Sequence, residues 1–348
     1  TVSRQDVALV MHTSGTTRRP KVVPIIHRHL ASGTLCVVAA LRLQREDVCL
    51  NAMPLFHLHG LMVNVLATCT AGAALCCATA FDASRFLHCL LLSAVDDDGN
   101  DGVASAPLPA TWYSAVPTIH LEVMRAAETA EVGGAHTLQL IRNCSAALAP
   151  SISTRLEAAL PGACVLPTYA MTEALPICAT RRAGLVGPPR DLASVGPATG
   201  PEVAVLAAAD ETPCAVGSEG EVSVRGVCVM AGYEQRAHLG YDPNDFTMTP
   251  NGWLRTGDKG WLDDHGRLFL TGRFKEIINR AGEKISPLTV EHVLLGAAGG
   301  AANAGAQSST DVTDAGEDED LRAPELRGWV RDLLAFAAPH DELGEVVG

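Results

Sequence analysis

A run of short polar residues lies between an apolar stretch and a lone lysine near the start of the chain. Four of its first five members carry hydroxyl groups, and the fifth is a glycine. Hydroxyls and backbone N–H groups at a strand end bind a polyphosphate well, and a lysine adds a point charge. The pattern favours a phosphate-binding loop, with a Ser/Thr-rich surface turn as the alternative. The residues predicted to bind phosphate are Thr13, Ser14, Gly15, Thr16, Thr17 and Lys21.

The elements that would position this loop follow from hydrophobic periodicity. Apolar runs of strand length alternate with longer helical patterns through the first half of the chain, which predicts an α/β fold with a large, mixed, mostly parallel sheet. Ligands of such sheets bind beyond the carboxyl ends of the strands, where the polar motifs fall. The predicted strands are Ala8–Met11, Val48–Ala52, Ala73–Ala78, Thr111–Val116, Leu138–Cys144 and Ala163–Leu166; the predicted helices are 27–42, 59–69, 82–93, 117–128 and 150–160.

Composition excludes several classes of function. A net charge of −13, from 26 basic and 39 acidic residues, argues against a nucleic-acid partner. The 11 cysteines contain no C-x-x-C pair, which is typical of a reducing compartment, so we expect a cytoplasmic or peroxisomal protein. The stretch Leu58–Phe81 lacks charge and is long enough to span a bilayer. Because Gly60, Asn64 and Gly72 interrupt it, we predict no stable membrane insertion.

The chain changes character after residue 195, where short strands and many glycines begin. We predict three parts: an α/β core over 1–195, incomplete at its N-terminus, a β-rich subdomain over 196–274, and a truncated small α+β domain over 275–348. Two polar segments interrupt this plan. Asp96–Gly102 is interpreted as a surface insertion, with a calcium loop as the alternative, and about 297–322 as a disordered insertion.

Four blocks in one order identify a family. They are Thr13–Lys21, Tyr169–Glu173, Thr256–Asp258, and Gly272–Glu276 with Gly282–Lys284. Together they resemble the AMP-forming adenylating enzymes, which include acyl-CoA synthetases, luciferases and peptide-synthetase adenylation domains. The resemblance covers roughly residues 5–295. Further stretches look most like the oxalyl-CoA synthetase branch, namely Pro54–Leu61, Thr111–His120 and Arg280–Pro287.

This resemblance implies an acid–thiol ligase that uses ATP, Mg²⁺ and CoA. A small carboxylic acid, with oxalate favoured, attacks the α-phosphate of ATP and releases pyrophosphate. The thiol of CoA then displaces AMP from the acyl-adenylate. Two alternatives stay open: a truncated or non-catalytic relative that only binds nucleotide, and an adenylating enzyme whose acceptor is the thiol of a carrier protein.

The resemblance also assigns catalytic roles. It places Thr13–Thr17 and Lys21 on the β- and γ-phosphates, Thr172 on the α-phosphate and Glu173 on Mg²⁺. A carboxylate beside a hydroxyl suits a hard cation that bridges phosphate oxygens. The alternative for the Thr-Glu pair is a helix cap. The histidine that matches His57 gates the carboxylate pocket, whereas His59 fits a satisfied core residue better.

The remaining assignments concern the nucleoside and CoA. Asp258 would accept hydrogen bonds from both ribose hydroxyls, because an ionised carboxylate only accepts. Arg273 would reach the ribose and phosphates, and Lys275 falls at the hinge of the small domain. The residues assigned to adenine are Tyr169, Ser145, Ala146 and Ala147, and Gly282 would approach the pantetheine arm of CoA.

The chain departs from the family pattern at three places. The phosphate loop has Arg18 and Val22 where the family usually has small residues, and it is not a Walker A loop, since Pro20 precedes Lys21. Pro176 lies in the segment where the oxalate branch places a histidine. Both ends of the chain also differ from the family pattern. We therefore expect a partial chain that lacks the segment before the phosphate loop and the family's adenylation lysine.

Overall fold

The computed structural model describes residues 1–13, 20–91, 108–132, 136–182, 190–235, 240, 242–274, 276, 278–280, 283–287, 290, 337–340 and 344–347. The chain forms two compact units, Thr1–Leu270 and Thr271–Gly348. The predicted three-part division of the chain stays a prediction.

The first unit is built on a six-stranded sheet with strand order β4-β3-β5-β6-β7-β8. The first five strands in this order pair in parallel, and β8 pairs antiparallel with β7. The predicted α/β fold with a mostly parallel sheet is therefore confirmed. The strands are β3 Val48–Asn51, β4 Ala74–Cys77, β5 Trp112–Ala115, β6 Leu140–Asn143, β7 Cys164–Met171 and β8 Ala174–Ala179.

Helices cover both faces of this sheet, and the predicted helices are confirmed within a few residues. Both α4 and α5 begin with a proline, whose missing N–H costs nothing in a first turn. The stretch 59–69 is a π-helix, His59–Leu66, that continues into an α-helix. The α-helices are α1 His27–Leu41, α2 Ala67–Ala71, α3 Ala83–Leu91, α4 Pro117–Thr129 and α5 Pro150–Ala159.

The uncharged stretch Leu58–Phe81 does not form one long helix. Gly72 ends α2 with a left-handed φ of 70°, and the chain then enters β4. Glycine adopts this conformation without steric cost. No helix among the described residues is long and apolar enough to cross a membrane.

The predicted strand Ala8–Met11 is confirmed as part of β1, but β1 does not belong to the main sheet. β1 Val7–Thr13 pairs antiparallel with a strand that was not predicted, β2 Lys21–Ile26, in a separate two-stranded sheet. The prediction of a buried strand is wrong, since Val7 and Val10 are 53% and 56% exposed. Residues Thr13 and Lys21 pair across the loop. Pairing across such a short loop costs less chain entropy than a crossover into the main sheet.

The Thr172-Glu173 pair lies in the tight turn between β7 and β8, not at a helix start. The helix-cap alternative for this pair is therefore wrong. Strand β8 was not predicted because Pro176 lies in its middle, and proline is confined to edge strands or bulges. β8 is an edge strand of the six-stranded sheet, which accounts for the proline.

A second sheet of the first unit has the order β12-β11-β10-β9. A turn at Asp264–Gly266 joins β11 and β12, and the Gly266 N–H donates to the Asp263 carbonyl at 2.9 Å. The rings of Trp261 and Phe269 stack across this pair with centroids 4.1 Å apart. The strands are β9 Glu202–Leu206, β10 Gly220–Arg225, β11 Leu254–Leu262 and β12 Leu268–Arg273, the last of which runs into the second unit.

The second unit contains a sheet of order β14-β13-β16-β15. β13 and β14 pair antiparallel, and residues 281–282 between them lie outside the described residues. The predicted insertions at 96–102 and 297–322 also lie outside them. The strands are β13 Ile278–Arg280, β14 Glu283–Ile285, β15 Ala337–His340 and β16 Gly344–Val347.

Candidate functional site

Tyr233 brings together two residues that are far apart in sequence. Its hydroxyl donates to Glu173 Oε1 at 2.5 Å, and Lys21 Nζ lies 4.3 Å from the centroid of its ring. The second contact is a cation–π interaction. Burial and the neighbouring Glu173 carboxylate raise the pKa of Tyr233, so this hydroxyl keeps its proton and donates. Lys21 and Glu173 thus contact one aromatic side chain, Lys21 at its ring and Glu173 at its hydroxyl.

Backbone hydrogen bonds hold the loop that carries Tyr233. The Glu234 N–H donates to the Val22 carbonyl at 2.9 Å, and the Met230 N–H donates to the Glu173 carbonyl at 2.8 Å. Val22 itself is buried in β2 and pairs with His12. Because this backbone is a regular strand, valine at this position needs none of the freedom of glycine, and the Val22 departure is explained.

Sequence reasoning missed Tyr233. The chain has only 4 tyrosines, and this one follows a glycine in a loop between strands. An aromatic residue in such a loop is a weak signal by itself. Its role is visible only once β2 and the turn at Glu173 are placed on either side of it.

A second tyrosine holds the other predicted carboxylate. The Tyr169 hydroxyl donates to Asp258 Oδ2, and both residues are buried. Burial, followed by the Asp258 charge, raises the pKa of Tyr169. The Thr256 hydroxyl ties the same segment to β10 by donating to the Val222 carbonyl at 2.7 Å, and it accepts from the Asp258 N–H at 3.1 Å. The predicted roles of Tyr169 at adenine and Asp258 at ribose stay predictions.

The two histidines after β3 differ in exposure. His57 is exposed, whereas His59 is buried among polar groups. His59 Nε2 lies 2.6 Å from Ser114 Oγ, its Nδ1 lies 3.3 Å from Ser145 Oγ, and its backbone N–H donates to His57 Nδ1 at 3.2 Å. Burial lowers the pKa of both rings, and the nearby Arg142 lowers that of His59 further. His57 and Ser145 therefore flank one buried, neutral imidazole.

The predicted adenine segment Ser145–Ala147 is an exposed turn beyond the carboxyl end of β6. Ser145 has a left-handed backbone with a φ of 74°, which is uncommon for any residue other than glycine. The Asn143 side chain donates to the Ala146 carbonyl at 2.9 Å and fixes the turn. The short side chains leave space above this edge of the sheet.

Thr172 and Glu173 border a shallow pocket of about 260 Å³, measured with its open mouth. His29 also borders it; this side chain is buried, and burial lowers its pKa. The other lining side chains are Ile25, Leu58, Met62, Leu175, Cys228 and Met230.

The described residues contain no group of three or more side chains able to hold a metal ion. A hard cation at Glu173 would therefore take its other oxygen ligands from the phosphates it bridges and from water. Mg²⁺ binds in this way, through one or two carboxylates together with substrate phosphates. The buried Glu173 carboxylate fits that donor set.

The other predicted residues are placed less completely. Thr13 ends β1, and its buried hydroxyl has no partner among the described residues. Arg273 belongs to the second unit, where its guanidinium lies 3.7 Å from Glu276. Six predicted site residues lie outside the described ones, namely Ser14, Gly15, Thr16, Thr17, Lys275 and Gly282. Arg18 also lies outside them.

Comparisons with known proteins identify the family of this chain. The profile of the family described as AMP-binding enzyme matches residues 1–234. An oxalate–CoA ligase from Arabidopsis thaliana is 40% identical over 292 residues, which are 83% of this chain and 52% of that protein. An oxalate–CoA ligase from Saccharomyces cerevisiae is 35% identical over 298 residues, with shares of 83% and 49%. The chain spans about half the length of the curated relatives it matches.

Solved structures share the fold. ATP-bound MatB from Rhodopseudomonas palustris aligns with a TM-score of 0.73 at 24% identity, over 99% of this chain and 57% of that one. A malonyl-CoA ligase ternary product complex, with methylmalonyl-CoA and AMP bound, aligns with a TM-score of 0.64 at 28% identity. That alignment covers 99% of this chain and 63% of that one.

Proposed function

Because this chain belongs to the family of AMP-binding enzymes, as its motifs predicted, we propose that it joins a small carboxylic acid to CoA at the expense of ATP. Oxalate is the first candidate acid. Two of the relatives it resembles are oxalate–CoA ligases, and both align over 83% of this chain. ATP, Mg²⁺ and CoA are the partners of this chemistry in the family.

The observation that carries the proposal is the junction at Tyr233. A cation and a carboxylate that flank one loop suit the two charges of a metal–polyphosphate complex. Lys21 would contact phosphate oxygens directly, and Glu173 would hold the cation that bridges them. Phosphoryl chemistry needs mainly positioning and charge neutralisation from the protein, and these two residues supply both.

The reaction has two balanced steps. An oxygen of the acid's carboxylate forms a bond to the α-phosphorus of ATP, and the bond to the β-phosphate oxygen breaks to release pyrophosphate. The sulfur of CoA then bonds to the acyl carbon, AMP leaves with the electron pair of the broken bond, and the thiol proton goes to solvent. Between the steps, Asp258 would keep the nucleoside in place through its ribose hydroxyls.

Pyrophosphate release with a panel of carboxylic acids tests the proposal in the whole chain. We expect oxalate to give the highest kcat/KM. Glu173→Gln removes the charge but keeps the shape, and we expect a loss of about 10²-fold or more in kcat, typical of a lost charged contact. Glu202→Gln is the matched control, because Glu202 is an exposed residue of β9 that forms an ion pair with Arg225 at 2.7 Å.

The same assay separates the alternatives. Full activity of the Glu173→Gln variant would remove Glu173 from the proposed metal role. Tight ATP binding without carboxylate-dependent pyrophosphate release would identify a non-catalytic nucleotide-binding relative. If pyrophosphate is released but acyl transfer occurs only to a phosphopantetheinylated carrier protein, then CoA is not the acceptor.

A further inference from the structure

Arg142 is a buried cation on the face of β6 that lies towards the π-helix. It is only 1% exposed, its Nη1 donates to Ser114 Oγ at 3.2 Å, and its Nη2 has no hydrogen-bond partner among the described residues. No described carboxylate forms an ion pair with it. An arginine buried without a countercharge is costly, so its presence under the site needs an explanation.

A guanidinium only donates hydrogen bonds, and this property fixes the role of Ser114. Ser114 Oγ accepts from Arg142 and also lies 2.6 Å from His59 Nε2. The serine proton has no other acceptor among the described residues. The arrangement that gives the serine proton an acceptor therefore has the Ser114 hydroxyl donating to His59 Nε2.

The tautomer of His59 follows from this direction. With Nε2 as the acceptor, the proton of the neutral ring sits on Nδ1, which faces Ser145 Oγ at 3.3 Å. Ser145 Oγ then accepts from His59, and its own hydroxyl proton points elsewhere. Because Ser145 is exposed in the turn beyond β6, that proton is available to a ligand.

We propose that Arg142 is a positioning residue, which sets the hydrogen-bond direction Arg142→Ser114→His59→Ser145 and makes Ser145 a donor to the carboxylate substrate. This inference rests on the proposed function. The inference adds to the proposed function by stating which group of the ligand the site selects, namely a negatively charged hydrogen-bond acceptor. The positive charge of Arg142, which pairs with no described carboxylate, also favours the binding of an anion nearby.

His57 supplies a second donor beside the first. Its Nδ1 accepts the backbone N–H of His59 at 3.2 Å, so in the neutral ring the proton is on Nε2. His57 and Ser145 both contact His59 and both turn a donor away from it. Two donors that both contact one residue, one at its backbone and one at its ring, suit the two oxygens of a carboxylate.

Histidine-selective ¹⁵N NMR of the whole chain tests the direction without any turnover. The signals of His59 are assigned by their loss in His59→Gln. We expect Nδ1 to carry the proton and Nε2 to be bare in the unsubstituted protein, and this preference to weaken or reverse in Ser114→Ala. A doubly protonated ring, an Nε2–H tautomer, or a tautomer unchanged by Ser114→Ala would overturn the proposal.

Steady-state kinetics then test the consequence for the substrate. Ser114→Ala and Ser145→Ala should each raise the KM for the acid roughly tenfold to a hundredfold, the value of one hydrogen bond to a charged group. The double variant should be no worse than Ser145→Ala alone, because both changes remove the same donor. Ser223→Ala is the matched control, a buried serine of β10 whose hydroxyl has no partner among the described residues.

The outcomes are distinguishable from failure of the proposed function. If no acid supports pyrophosphate release, the ligase proposal fails, but the NMR spectra still decide the direction of the chain. If the enzyme is active and the effects of Ser114→Ala and Ser145→Ala on KM are additive, the two residues act independently and the relay is wrong.

Discussion

The two faces of the six-stranded sheet are built from alternate residues of the same strands, yet they differ in chemistry. On the face against α3, α4 and α5, the central strands place mainly apolar or aromatic side chains such as Leu50, Tyr113 and Ile141, and the buried Asn143 at the end of β6 is a polar exception. On the face towards the π-helix, the strands begin with Cys49, Trp112 and Leu140 and end with polar residues. These polar residues are Asn51, Ser114 and Arg142.

This difference separates the face of the sheet that mainly stabilises the fold from the face that orients polar groups near the candidate site. An apolar face gains free energy from every buried methylene. A buried polar network is favourable only when nearly all of its members are satisfied, but it fixes directions that apolar packing cannot fix. The polar residues all lie at the carboxyl ends, which is the edge where α/β sheets bind ligands.

The largest effect on stability is expected on the apolar face. Ile141 is fully buried there, and Ile141→Ala should lower the free energy of unfolding by about 2–5 kcal/mol. Activity per folded molecule should be unchanged, because this face does not contact the proposed site. Urea unfolding gives the first quantity and pyrophosphate release the second. Ile141→Val should cost only about 0.5–1.5 kcal/mol; an activity loss in this mild variant would contradict the separation of the two faces.

The next effect is a pH dependence that originates on the apolar face. Burial lowers the pKa of His120 to about 4, from an ordinary value of 6.5. The unfolded chain therefore binds more protons between these values, so stability is full above pH 6.5 and falls as the pH drops towards 4. The loss should be roughly 3 kcal/mol, measured as the free energy of unfolding in urea at several pH values.

His120→Gln provides the control for this dependence. Glutamine does not titrate, so the difference between the two proteins should shrink as the pH falls through the same window. A difference that is constant with pH would show that His120 does not remain neutral in the folded chain.

A smaller effect is expected for the polar network itself. Asn64 is completely buried, and its side-chain amide donates to Asn51 Oδ1 at 2.6 Å and to the Ser114 carbonyl at 3.2 Å. Asn64→Ala should lower the free energy of unfolding by about 1–3 kcal/mol, because buried acceptors lose their donor. It should also reduce activity, unlike Ile141→Ala. Asn251→Ala, at an exposed turn, should change stability by less than about 0.5 kcal/mol.

The smallest effect is one of thiol reactivity. Cys36 on α1 and Cys76 on β4 are both partly buried, on opposite sides of the sheet. A hydrogen bond from the Cys228 thiol lowers the pKa of Cys36 to about 7, whereas burial raises that of Cys76. Iodoacetamide at pH 7.5, followed by peptide mass spectrometry, should label Cys36 faster than Cys76. Cys228→Ala should slow this labelling; equal rates at Cys36 and Cys76 would contradict it.

Most of the main sheet was predictable because its strands are buried on both faces and appear as continuous apolar runs. Two of the strands that were not predicted, β2 and β8, each contain a central proline, Pro24 and Pro176. Both are edge strands, where proline is tolerated. A sequence pattern alone does not tell an edge strand with a proline from a loop.

The site was predictable as a set of motifs but not as a set of contacts. Glu173 and Lys21 were identified from their neighbours in sequence. The tyrosine between them lies 60 residues from Glu173, and Arg142 lies 28 residues from its partner Ser114. Ser114 and Arg142 occur in apolar strands, where a single polar residue has no fixed partner until the strand order is known.

The left-handed backbone of Ser145 carries a consequence for protein engineering. A non-glycine residue in this conformation costs of order 1 kcal/mol, so Ser145→Gly should make the folded chain more robust. The same exchange deletes the hydroxyl that we propose as a donor to the carboxylate substrate. A screen that rewards heat resistance alone would thus enrich a protein that survives longer and recognises its acid less well. At this position, thermal stability favours glycine, whereas the proposed recognition of the acid favours serine.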